Sequence, residues 1–185
     1  MGLGLEILAD FIYLIFGIYI FVVMLRFILQ LVRADFYNPI SQGIIKLTAP
    51  VLNPLRRIIP GLWGIDLSSV LLMLALKAIE RVLLIVITGK TAGLGILVII
   101  AIAQLIQLAV YILIGSIMIR IIVSWINPHA AYQNPVVMLV SAISDPIMRP
   151  FRRLIPPMGG IDFSPMLVIF LLFTILKILS RVVGI

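Results

Sequence analysis

Four apolar runs, near residues 11–32, 69–88, 94–126 and 165–185, constrain this chain more than any other feature of it. Each reaches or exceeds the roughly 20 residues with which an α-helix crosses about 30 Å of hydrocarbon. The polar-punctuated stretches between them, 33–68 and 127–164, are each under forty residues, which leaves no soluble domain of useful size. At 63% hydrophobic and 11% charged, against about 45–50% and about 25% in soluble domains, the chain cannot hide its apolar surface in one small core. Its natural solvent is a bilayer, and the expected fold is an all-α integral membrane protein with four transmembrane helices. The N-terminal "MGLGLEILAD" has neither a basic n-region nor a small-residue cleavage site, so the first run reads as a retained span.

The short polar stretches carry the pattern. "NPLRRIIPGLWGID", Asn53 to Asp66, returns ninety-six residues later as "RPFRRLIPPMGGID", Arg149 to Asp162. At that offset twelve of the 32 positions from 38 to 69 are identical, among them both Asn-Pro pairs, both Arg-Arg pairs and both aspartates. Upstream, "VMLRFILQLV" matches "IMIRIIVSWI" once a two-residue insertion is allowed in the second copy, which pairs Arg26 with Arg120. The chain therefore reads as two repeats, 1–91 and 92–185, each a long span, a helical loop and a short span. Two crossings per copy return the chain to its starting side, so the repeats are expected to be parallel; inverted repeats are the commoner sign of alternating access. The loops hold Arg33, Lys46, Arg56, Arg57, Arg149, Arg152 and Arg153, whereas the middle connector holds only Lys90. The positive-inside bias then places both loops in the cytoplasm and both termini outside a plasma (inner) membrane, with Lys177 and Arg181 pulling the other way.

Within each loop, Asn38-Pro39 and Asn134-Pro135 read as helix N-cap and first helical residue. A helix of about ten residues is expected to follow, with Pro50 or Pro146 starting a second short one that Pro54 or Pro150 limits. Asp145 is placed to cap that second helix; Ala49 is not. Each loop is thus expected to be a short interfacial or re-entrant helical hairpin. Ser164-Pro165 reads as cap and first residue of the following span, with Ser68 in the matching role and the nearby glycines supplying the turn. The arginine pairs, Arg56-Arg57 and Arg152-Arg153, admit two readings. One is headgroup anchoring, at about 1 kcal/mol per basic residue. The other is a specific contact with Asp66 or Asp162, within or across the repeats.

The pattern "NP…P…P.RR.IP..GGIDFSP", nearly whole in the second copy, resembles the signature of the YggT family of small integral membrane proteins, also represented in plastids. The first copy departs at "GLWGIDLSS", where Trp63 and Ser69 replace glycine and proline. Both copies match, so the resemblance covers most of the chain. It implies a four-span, two-repeat, non-enzymatic protein. In the family, plastid relatives are associated with cytochrome cofactor assembly or nucleoid distribution, and bacterial relatives with osmotic or potassium tolerance and membrane or division-related roles.

Ionisable residues inside the apolar runs are functional candidates by default. Arg26 and Arg120 lie about 10 Å from the loop-side span ends, within snorkelling reach, and their duplication points to a role inside the repeat, such as bonding loop carbonyls. Lys77, Glu80 and Arg81 share one span, at a spacing that lets Glu80 pair locally. Glu80, Gln104 and Lys177 fall about 12–15 Å from the opposite ends, a polar layer that reads as helix glue or as the lining of a small wet cavity.

No metal-ligand cluster, cysteine or phosphate loop points to an enzyme, and no cofactor is implied; the lone His129 sits in the insertion and reads as a solvated loop residue. The net charge of +7 fits anionic lipid headgroups better than nucleic acid. Two functions remain. The first is a structural, assembly or membrane-organising factor whose loops meet lipids, other membrane proteins or a second copy. The alternative is a channel-like or accessory component in potassium or osmotic adaptation.

Overall fold

In the computed structural model the described residues are 2–62, 64–89, 93–126, 134–154 and 162–183, and they form six α-helices. These are α1 (Leu3–Leu31), α2 (Pro39–Ile58), α3 (Leu67–Thr88), α4 (Leu94–Ile126), α5 (Pro135–Leu154) and α6 (Ser164–Val183). Among the described residues the one extended pairing is an isolated bridge between Leu62 and Ile65. His129, Lys90 and Gly160, each singled out in the sequence, lie outside the described residues.

Three helices are long and apolar enough to cross a membrane: Leu3–Leu31, Gly95–Ile126 and Ser164–Arg181. Only 33%, 28% and 22% of their most apolar stretches is buried within the protein, so most of each needs an apolar surrounding. Leu3, Phe11 and Ile18 on α1, Ile96 and Val98 on α4, and Met166 and Phe170 on α6 are all exposed. The fourth expected span, α3, has the length at 22 residues but carries Lys77, Glu80 and Arg81.

Helix α1 stops where Arg33 turns left-handed at φ 53°. The Ala34 amide donates to Leu29 O at 2.9 Å and the Arg33 amide to Gln30 O at 3.1 Å. This is the double bond of a Schellman stop, built with arginine where glycine is usual. Just beyond it, Phe36 and Tyr37 stack edge to face at 6.0 Å, both exposed. Trp125 is exposed at the corresponding end of α4. Exposed aromatics at span ends belong at the headgroup level.

The expected two-helix hairpin is not what forms. Each loop is a single 20-residue helix that runs through its two prolines, Pro50 and Pro54 in α2, Pro146 and Pro150 in α5. A spacing of four puts both missing amides on one face, and all four prolines are exposed. The opposite face is buried: Ser41, Ile44, Thr48 and Leu52 in α2, and Val137, Val140, Ser144 and Met148 in α5. These two stripes correspond residue for residue at the ninety-six-residue offset. Burial of a full-length stripe outweighs the local loss of backbone bonds.

The chain divides into two compact units, Met1–Phe27 with Ile44–Ile106, and Ile28–Gly43 with Gln107–Ile185. The first buries Ile20, Val23, Leu52, Leu72 and Met73. In the second, Val110, Ile114 and Ile117 of α4, Met148 of α5, and Val168, Leu172 and Leu176 of α6 form one hydrophobic core.

Candidate functional site

Asn38 and Asn134 cap the two loop helices: their Oδ1 atoms accept from the amides of Ile40 and Val136, both at 2.9 Å. Asn38 is buried and its Nδ2 also donates to Pro135 O at 2.9 Å, which ties the starts of α2 and α5 together inside the second unit. Asn134 is exposed.

Each span arginine reaches a hydroxyl on the buried stripe of its loop helix. Arg26, 7% exposed, donates from Nη1 to Thr48 Oγ1 at 2.6 Å and to Ile45 O at 3.4 Å. Thr48 Oγ1 donates in turn to Ile44 O at 2.7 Å. In the second copy Arg120 Nη1 donates to Ser144 Oγ at 3.1 Å and is ion-paired with Asp145. Asp145 was expected to cap a helix. Because α5 runs on without a break, its carboxylate is released to bind arginine.

At their C-terminal ends the loop helices meet the turn before the next helix through a second arginine. Arg56 donates through Nε (3.2 Å) and Nη2 to Asp66 Oδ2, and Arg152 Nε donates to Asp162 Oδ2 at 2.9 Å. All four arginines of the two pairs lie in last turns, where cations also complement the helix dipole. Arg57 and Arg153 are exposed.

Asp66 also caps α3, accepting from the Ser69 amide at 3.4 Å and from its hydroxyl at 2.6 Å. Ser68 is therefore not the cap. It is the second residue of α3, and its buried hydroxyl donates to Ile59 O at 3.0 Å. Ser164 likewise opens α6 rather than capping it, its amide going to Asp162 Oδ1 at 2.9 Å. Both aspartates therefore work at the helix start as well as on arginine. Just before Asp66, Gly64 at φ 83° makes the left-handed turn that the Leu62–Ile65 bridge needs. Burial pushes the Asp66 carboxyl up, but donation from Arg56 and Ser69 prevails and holds it below the ordinary 3.8. Asp162 follows the same balance, with Ser164 and Arg152 as donors.

The copies part company at 49 and 145. Asp145 Oδ1 lies 3.6 Å from Arg152 Nη1 as well as against Arg120, so Arg120, Asp145, Arg152 and Asp162 alternate in one chain of charge. The first copy has Ala49 at that place. Among the described residues no carboxylate comes within ion-pair distance of Arg26, whose charge is repelled by Arg56 and attracted by Asp66.

Deeper in α3, Lys77 Nζ pairs with Glu80 Oε2 at 2.8 Å, with both side chains at least nine-tenths buried. Nζ also sits 5.4 Å from the Tyr13 ring centroid. Glu80 Oε1, Arg81 Nε and Gln104 Oε1 are buried without a hydrogen-bond partner among the described residues. At the repeat offset α6 has Phe173 and Leu176 instead of Lys77 and Glu80, and Lys177, matching Arg81, is exposed. Among the described residues no three His, Cys, Asp or Glu side chains gather as a metal site.

A family model described as CCB3/YggT matches the chain twice, over residues 5–87 and 99–183. The chain is 41% identical over 184 residues to "Uncharacterized protein PA0392" of Pseudomonas aeruginosa, covering 98% of this chain and 90% of that one. It is 35% identical over 158 residues to "Uncharacterized protein YggT" of Escherichia coli strain K12, covering 85% and 81%. "Uncharacterized protein ycf19" of Guillardia theta is 36% identical over 75 residues, 40% of this chain but 79% of that protein. No solved structure matches the chain.

Proposed function

The chain belongs to the CCB3/YggT family, and from that premise we propose that it is a non-enzymatic structural or assembly factor of the plasma (inner) membrane. On this reading its two loop helices lie in the cytoplasmic headgroup layer and offer Arg57 and Arg153 to anionic lipids and to other membrane proteins. The observation that carries the reading is the duplicated latch. In both copies one arginine holds the middle of the loop helix to the preceding span and a second holds its end to the following span. Two strongly amphipathic helices with apolar-side hydroxyls latched inward leave their basic, proline-bearing faces outward, the form of an interfacial helix.

The reading includes α3 as a fourth crossing, in two parallel repeats with both termini outside. The Lys77–Glu80 pair supports it, since a neutralised pair removes most of the charge that counts against α3. The chain has no cysteine, so single cysteines at Lys46 and Arg149 test sidedness directly. Both are expected to react only from the cytoplasmic side; labelling from opposite sides overturns the parallel arrangement. For the partner role, Arg57→Ala with Arg153→Ala is expected to abolish crosslinked partners at normal protein level, and unchanged crosslinking refutes it.

A second reading, a channel-like element in potassium or osmotic adaptation, is favoured by the unpartnered Glu80 Oε1 and Gln104 Oε1 in the first unit. Potassium flux into liposomes that Glu80→Gln abolishes is its signature, and no flux from the intact protein rejects it. The Lys77 ammonium against Glu80 weighs against a cation path there.

A further inference from the structure

The second elbow contains its own template for what the first one lacks. Asp145 stands between Arg120 and Arg152, accepting from Arg120 and lying 3.6 Å from Arg152 Nη1 as an ion pair. Removing that carboxylate while keeping both arginines gives the first copy, where the half-buried Ala49 stands at the position of Asp145 and Arg26 and Arg56 at those of Arg120 and Arg152. Asp66 pairs with Arg56, and among the described residues no carboxylate lies within ion-pair distance of Arg26. A buried cation in that state is unfavourable unless an anion joins it. Both hydrogen bonds of Arg26 leave from Nη1, so Nε and Nη2 still have N–H donors to offer. Arg26 lies five residues before the end of α1, roughly 8 Å along the axis, at the depth where a snorkelling arginine meets headgroup phosphates.

From this we infer that the space beside Ala49, between Arg26 and Arg56, is a binding site for a phosphate group, which takes the place that Asp145 fills in the second copy. The chemistry is that of a singly or doubly charged phosphate, supplied either by a phospholipid headgroup or as free phosphate; planar guanidinium groups suit both. The inference deepens the proposed function and relies on it only for placing the elbow at the headgroup layer.

The test uses the full chain in mild detergent, titrated in one arm with dioleoylphosphatidylglycerol and in the other with inorganic phosphate, with occupancy read by native mass spectrometry. The wild type is expected to hold one equivalent. Ala49→Asp supplies the missing carboxylate internally and is expected to weaken binding about tenfold or more, whereas the similarly sized, neutral Ala49→Asn stays within about threefold. Binding in the lipid arm alone assigns a headgroup, and binding in the inorganic arm alone assigns free phosphate. No binding by the wild type in either arm, equal binding by Ala49→Asp, or equal loss in Ala49→Asn overturns the site. Should Ala49→Asp fail to fold, Asp145→Ala decides: a second equivalent supports the inference and its absence overturns it. Loss of partner crosslinking in the Arg57 and Arg153 variants with this binding intact refutes the partner role and leaves the phosphate site standing; the converse pattern refutes the site alone.

Discussion

Among the described residues, Arg56 of the first elbow pairs with Asp66 and Arg26 pairs with no carboxylate, whereas at the second Arg120 and Arg152 meet two, Asp145 and Asp162. The residues that set the backbone (Asn-Pro at the cap, the paired prolines, the arginine and aspartate of the latch) are the same in both copies. What differs is whether the charges inside that frame close on themselves. Further along, α3 buries the Lys77–Glu80 pair where α6 has Phe173 and Leu176. Arg120 and Arg152 of the second elbow each face a carboxylate, whereas Arg26 of the first does not among the described residues, which directs a search for bound ions or lipids to the first.

The largest effect comes from breaking the α3 pair. Glu80→Leu alone leaves Lys77 charged and buried and is expected to destabilise the protein by about 3–5 kcal/mol in detergent unfolding. Lys77→Phe combined with Glu80→Leu installs the residues of α6, and is expected to recover most of that loss. A double variant as unstable as the single one would mean that the copies are not interchangeable at this depth.

Next in size is the hydroxyl under each span arginine. Thr48→Val strips Arg26 of its closest acceptor in a fully buried position, at about 1.5–3 kcal/mol for a hydrogen bond to a charged group. Ser144→Ala leaves Arg120 on Asp145 and is expected to cost about 1 kcal/mol or less. Equal losses in the two copies would remove the distinction drawn at 49 and 145.

The acid limb sharpens the comparison further. The folded-state carboxyls of Asp66 and Asp162 lie below 3.8, so the stability they supply is fully present above that value and is lost as pH falls below it through the folded one. Unfolding followed from pH 5 to pH 2 is expected to steepen in this window, and Asp66→Asn is expected to flatten it more than Asp162→Asn, because Asp66 is 4% exposed and Asp162 31%. The smallest effect on stability, within about 0.5 kcal/mol, is expected for Arg57→Ala and Arg153→Ala, which sit on exposed surface. Their readout is binding.

The apolar runs, the Asn caps and the duplication were legible because each rests on local pattern: run length, a cap next to proline, identity at a fixed offset. The unbroken α2 and α5 were not. Proline acts locally as a helix stop, and only the tertiary burial of Thr48 with Leu52 and of Ser144 with Met148 shows that the two prolines share a tolerated outer face. Arg26 and Arg120 stood out in the sequence, but their partners twenty-two and twenty-four residues on did not. Thr48 and Ser144 differ in identity and share only a hydroxyl, so a comparison of side-chain chemistry rather than of letters at the repeat offset would have found them. The cap of α3 shifted from Ser68 to Asp66 because an aspartate can bind arginine and helix amides at once.

The buried pair in α3 bears on how the chain is made. A helix with Lys77, Glu80 and Arg81 near its middle is a poor candidate for release from a translocon into lipid by itself, at about 2.5–3.5 kcal/mol for each central charge. Tyr13 on α1, synthesised earlier, already offers its ring to the Lys77 ammonium. If α3 crosses, it therefore has to leave the channel alongside α1 and not after it, as one hairpin, whereas α6, with Lys177 as its one charge near the middle where α3 has three, meets a smaller barrier to entering alone.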